Sequence, residues 1–185
     1  MPVVIGAKPE SSFADPFGLL TGCHRRIEGF LSVLVQVAAE AQGGPLTAEQ
    51  RSALDTALRY FREAAPKHTA DEEQSLFPRL QNLDSPRVKA VLAQVDALKG
   101  QHIEADRSHA EIDQLGQLWL SDGFLPAADT VRLLELLTRL SELYKGHIAL
   151  EEGQVFPAAA EELGQLDRKA IGSEMAARRG LSQVE

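Results

Sequence analysis

The sequence predicts an all-α protein, an up-down-up-down four-helix bundle with a short C-terminal helix or tail. Three observations carry this expectation. Proline and glycine clusters divide the chain into four long blocks, apolar residues recur inside each block at steps of three and four, and no block alternates as a strand does.

The blocks follow in order. Asp15 before Pro16 is a helix start, an acceptor at the cap and a proline at the first helical position. This helix runs to about Gln42, where Gly43, Gly44 and Pro45 end it. The second begins at Thr47, with Gln50 completing a capping box, and continues to Phe77 with a kink expected at Pro66. Ser85 and Pro86 open the third, which reaches about Leu120. The fourth starts near Pro126 and extends to about Glu162, with a kink or break at Pro157. The charged segment from Gln165 to Arg179 predicts a fifth helix or a loose tail. The expected organisation is a flexible segment over 1–12, the bundle over 13–162 and the tail over 163–185. Short connections between long helices make neighbours antiparallel.

Composition narrows the function. The chain has 185 residues and a formal net charge of -8, which argues against a nucleic-acid partner or an anionic membrane surface. No run of eighteen apolar residues occurs, and the N-terminus lacks the pattern of a secretory signal. The single Cys23 excludes an internal disulfide and a thiolate metal cluster. A cytoplasmic location is expected.

All five histidines fall on the inward stripes of the four helices: His24 on the first, His68 on the second, His102 and His109 on the third, His147 on the fourth. Glu72 and Glu151 follow His68 and His147 by four residues, and Asp106 follows His102 by four. Residues four apart differ by about 40° and ~6 Å of rise, so each pair can meet at one point. Burying such groups unpaired costs about 1–3 kcal/mol each, and more for a carboxylate. A hydrogen-bonded polar core is one way to offset this; a pair of cations held by imidazole nitrogen and carboxylate oxygen is a more direct one. That donor set suits iron, manganese or zinc.

HTADEEQSLFP (68–78) recurs as HIALEEGQVFP (147–157), which repeats the histidine, the Glu-Glu pair and the closing Phe-Pro. Glu73 and Glu152 lie about 140° around from their histidines, so they are expected on the bundle surface, away from the site. Phe77-Pro78 and Phe156-Pro157 are expected to kink or end their helices and plug the bundle. Cys23, 100° from His24, reads as a core or semi-exposed thiol. Tyr144, one turn before His147, is a candidate hydrogen-bond donor lining the pocket.

As a set, His24, the two His-x3-Glu-Glu…Phe-Pro segments and the His102 helix resemble the hemerythrin-like (HHE cation-binding) domains, over roughly residues 13 to 162. The resemblance implies a four-helix bundle around two iron ions, bridged by two carboxylates and an oxo or hydroxo group. It implies His24, His68, His102 and His147 as terminal ligands and Glu72 and Glu151 as bridges. Iron is expected over zinc or manganese. The third helix departs from the oxygen-carrying members, which place a second histidine four residues after the first; here that position is Asp106, with His109 one turn beyond. Either completes the ligand set, or His109 hydrogen-bonds Asp106. A carboxylate there favours ferric iron and weakens the case for a purely reversible oxygen carrier. The expected function is binding or sensing of O2, NO or iron itself, and a sensor would act through a separate protein partner. The alternative is a di-iron enzyme that breaks down peroxide, performs oxidations or donates iron for repair. A third reading is a bundle that binds no metal, or zinc adventitiously.

Overall fold

Caps and breakers set the helix boundaries in the computed structural model, which describes residues 12–181. Asp15 accepts from the Gly18 amide at 3.0 Å and starts α1 (Pro16–Ala41). The Thr47–Gln50 capping box opens α2 (Ala48–Glu63), and Ala64 interrupts the helix before α3 (Ala65–Asp71), two residues ahead of Pro66. Ser85 caps α5 (Pro86–Asp122), and Gly123 ends it in the left-handed region at φ 78°. The fourth long block is α6 (Ala127–Leu150).

Two short helices, α4 (Phe77–Gln81) and α7 (Phe156–Glu162), continue the second and fourth blocks beyond their Phe-Pro pairs. Phe-Pro therefore ends neither helix. The irregularity lies just before it, as a π turn over Glu72–Leu76 and another over Glu151–Val155. In each, a phenylalanine amide reaches back five residues, Phe77 to the Glu72 carbonyl and Phe156 to the Glu151 carbonyl. The following proline has no amide to donate and its ring crowds the carbonyl four residues earlier, so a wider turn accommodates it. Both π turns begin on the glutamate of a His-x3-Glu pair.

Around the bundle, α1 packs on α2 and α6, and α5 packs on α2 and α6. The apolar interior is divided in two. One cluster includes Ile27, Leu58, Phe61, Ala65, Ala105 and Leu140; the other includes Leu20, Leu76, Phe77, Leu98, Val155 and Met175. Along α1 the chain passes from the second cluster to the first, along α2–α4 from first to second, along α5 back again, and along α6–α7 from first to second. This alternation is the up-down-up-down arrangement. The crossovers between clusters fall where His24, His68, His102 and His147 lie.

The last block is a formed helix, α8 (Gln165–Arg178), with Ile171 and Met175 fully buried in the second cluster. It approaches so closely that a Cβ on Gly172 would stand 1.9 Å from the Phe13 carbonyl oxygen. The flexible segment expected over 1–12 lies outside the described residues apart from Ser12, as do residues 182–185. Among the described residues there is no strand, and no helix is long and apolar enough to cross a membrane.

Candidate metal centre

At the layer between the two apolar clusters, four helices deliver His24, His68, Glu72, His102, His147 and Glu151, all 5% exposed or less. Their inward atoms form two groups. His24, His68, Glu72 and Glu151 make one; Glu72, His102, His147 and Glu151 make the other, with ligand atoms inside each group within 4.8 Å of one another. Both carboxylates belong to both groups, and each divides its oxygens between them. Glu72 turns Oε1 toward His68 Nε2 at 3.3 Å and Oε2 toward His102 Nε2 at 3.3 Å. Glu151 turns Oε2 toward His24 Nε2 at 3.0 Å and Oε1 toward His147 Nε2 at 3.2 Å.

Each of the four imidazoles presents Nε2 inward. Three of them hold an oxygen on the outer Nδ1: Glu152 on His24 at 2.8 Å, Glu73 on His102 at 2.8 Å, and the Gln101 side-chain oxygen on His147 at 2.9 Å. An acceptor at Nδ1 fixes the proton there and leaves the Nε2 lone pair for a cation. The phenylalanines repeat the relation, Phe156 stacking on His24 at 5.5 Å between centroids and Phe77 on His102 at 6.3 Å. One echoed segment therefore braces a histidine of α5 and the other a histidine of α1.

This corrects the expectation for Glu73 and Glu152. They are partly exposed, with side-chain exposures of 34% and 28%, but they are not idle surface charges. An angle measured around one's own helix axis omits the neighbouring helix, whose histidine turns its outer nitrogen toward the same boundary. The repeated Glu-Glu doublet was the available signal. Gln101 had none. Glu73→Gln and Glu152→Gln are each expected to weaken metal binding by roughly 10–100-fold, the usual consequence of losing an outer partner of a ligand histidine. Metal-competition titration of the two variants checks this, and parental affinity in both would refute the bracing role.

The buried polar atoms test whether cations fit. Both oxygens of Glu72, both oxygens of Glu151 and His24 Nε2 have no aligned hydrogen-bond partner. A satisfied polar core does not leave four buried carboxylate oxygens without donors. Nitrogen and oxygen donors converging on two points suit divalent or trivalent cations. Without metal, protons take their place. Burial lowers the affinity of His24 for a proton, but Glu151 and Glu72 outweigh it and raise the pKa to about 10. His102 rises to about 9, where burial is outweighed mainly by Glu72. Glu72 is held well below the carboxylate range, its burial outweighed by His68 and His102.

Both histidines therefore carry protons at neutral pH in the metal-free protein, and cations must displace them. Affinity for a probe such as Co2+ is expected to rise from pH 6 to about pH 9, roughly tenfold per unit for each proton displaced. The same uptake should acidify a weakly buffered solution. A flat profile across that range would contradict the assignment.

Asp106 and His109 stand outside both groups. Asp106 is exposed at the rim of a small cavity, and no hydrogen bond joins it to His109. His109 instead pairs its Nε2 with the Tyr144 hydroxyl at 2.9 Å and stacks on Phe61 at 4.3 Å between centroids. The cavity, of about 10 Å³, is lined by His68, His102 and His147 of the two groups together with Asp106, His109 and Tyr144. It has room for about one water-sized molecule.

Cys23 is buried beside the site and outside both groups. Arg26 donates to its sulfur at 3.1 Å. Burial raises the thiol's pKa, but His68 and Arg26 outweigh it and bring the value down to about 7. A second feature absent from the sequence reading lies next to Glu72. Asp71, fully buried, accepts from Arg178 at 2.9 Å and from Arg179 at 2.6 Å, and Arg178 also reaches Ser75 inside the π turn at 2.7 Å. The last turn of α8 thus fastens the helix that carries His68 and Glu72.

A protein of Haemophilus influenzae described as uncharacterized is 26% identical to this chain, in an alignment covering 94% of this chain and 95% of the relative. Residues 15–159 match the Hemerythrin HHE cation binding domain. That match spans most of the sequence and contains both cation-fitting groups, so the chain belongs to the hemerythrin HHE cation binding domain family.

Proposed function

We propose that the protein holds two iron ions as a carboxylate-bridged di-iron centre and uses it to bind or sense O2, NO or iron. The observation that supports this best is the division of Glu72 and Glu151 between two groups, one oxygen of each carboxylate to either side. The histidines supply two further nitrogens to each group, His24 and His68 on one side, His102 and His147 on the other. Iron accepts such a nitrogen and oxygen set, and when bound it supplies reversible electron transfer and affinity for diatomic ligands. The cavity beside three of the histidines admits only a guest about the size of water, which favours a very small ligand over an organic substrate.

Purified protein reconstituted with iron should contain about two irons per chain and show charge-transfer absorption of an oxygen-bridged ferric pair. A colourless protein that excludes iron yet stays fully folded would refute the proposal. Multiple turnovers of peroxide, or release of iron to an acceptor, would instead favour the enzyme reading over binding and sensing.

A further inference from the structure

Three histidines of the two groups hold an oxygen on Nδ1, and His68 does not. Its Nδ1 is buried without an aligned partner, on a residue only 4% exposed. A cation on Nε2 fixes the ring's proton on Nδ1. The loaded protein therefore carries a buried N–H on His68 that needs an acceptor.

Contacts in the two halves of the chain indicate where that acceptor lies. Glu152 and Phe156 meet His24 just as Glu73 and Phe77 meet His102. His68 and His147 open the two echoed segments, so they correspond as well. Gln101, the residue before His102, reaches His147, the other histidine of the same group. The residue before His24 is Cys23, and the other histidine of that group is His68. Cys23 thus holds the place in one half that Gln101 holds in the other. Its side chain is buried within hydrogen-bond range of the His68 ring. Because His68 turns Nε2 to Glu72 and Cys23 stands outside both groups, the sulfur approaches the outer side of the ring. Arg26 donates to the sulfur at 3.1 Å, and the Arg179 guanidinium is also within hydrogen-bond range. Both neighbours are donors only, so the sulfur is placed as an acceptor.

We propose that Cys23 is a positioning residue of the metal centre, whose sulfur accepts from His68 Nδ1 and holds Nε2 toward the cation, as Gln101 does for His147. The inference rests on reading the two groups as cation sites, whichever metal fills them. It gives the one cysteine of the chain a role in shaping the site without binding the metal.

The test is a competition titration with Co2+ of the parent, Cys23→Ser and Cys23→Val, with circular dichroism of the metal-free proteins to establish folding. Both substitutes are close to cysteine in size; serine keeps an acceptor and valine has none. Cys23→Val should weaken binding of one of the two ions by roughly 10–100-fold, the usual effect of losing an outer partner of a ligand histidine. Cys23→Ser should stay within about threefold of the parent. A cysteine that only filled apolar space would give the reverse order, because valine preserves that packing and serine does not. Parental affinity in Cys23→Val, or equal losses in the two variants, overturns the inference while leaving the cation sites intact. The Co2+ spectrum of the parent decides even where a variant does not fold. Only the bands of nitrogen and oxygen ligands are expected, and thiolate-to-cobalt charge transfer would make Cys23 a ligand and overturn the inference. A parent that binds no Co2+ defeats the reading of the groups as cation sites, and the inference with it.

Discussion

A protein carrying both Glu72→Gln and Glu151→Gln is expected to keep its helical bundle and lose essentially all bound metal. Each glutamate contributes an oxygen to both groups, so each substitution damages two sites at once. Loss of an outer partner alone typically weakens binding by about 10–100-fold, so loss of both shared ligands should exceed about 10,000-fold. The fold should survive because the amide is nearly isosteric and neutral. In the metal-free protein it also removes two buried carboxylates whose oxygens have no aligned donors. Metal content after gel filtration, read beside circular dichroism, decides the matter. Two ions per chain retained by the double variant would show that these carboxylates do not bridge.

The largest loss of stability is expected from removing both arginines at the end of α8. Asp71 is fully buried and depends on Arg178 and Arg179 for its charge balance. Breaking a buried ion pair from one side leaves the other charge uncompensated, which typically costs about 3–5 kcal/mol. For a chain of this size that corresponds to a fall in Tm of about 6–20 °C, measured on the metal-free protein so that metal binding does not contribute. Adding Asp71→Asn to the Arg178→Ala/Arg179→Ala background should restore part of the loss, because the stranded charge is gone. Melting unchanged from the parent would mean that α8 is a passive appendage. Because Asp71 precedes Glu72 and Ser75 sits inside the π turn, the same variant should also hold metal less well.

Much of the bundle and its ligand layer was legible in the chain. The capping box at Thr47 and the glycine stop after α5 are local chemistry, decided by residues three or four apart. The helical period also brought His68 with Glu72, and His147 with Glu151, onto common faces. The third helix was less legible. His102, Asp106 and His109 all share its inward side in sequence, yet the structure brings only His102 into the metal-fitting groups. Periodicity fixes the direction of a side chain about its own axis, but not its depth along the bundle or its competing partners. Asp106 ends at the exposed rim, and Tyr144 with Phe61 captures His109.

What the sequence determined by itself was the set of helices, the faces they turn inward, and the histidine and carboxylate pairs interrupting those faces. These follow from short-range hydrogen bonding and from a period that every helix must obey. Helix packing alone decides which pairs converge on one cation-fitting group, that Glu73 and Glu152 brace histidines of other helices, and that α8 clasps Asp71. Those contacts join residues 29, 128 and 107 positions apart, and no local rule constrains them. They are set by which helices become neighbours and by the need to give every buried charge and donor a partner.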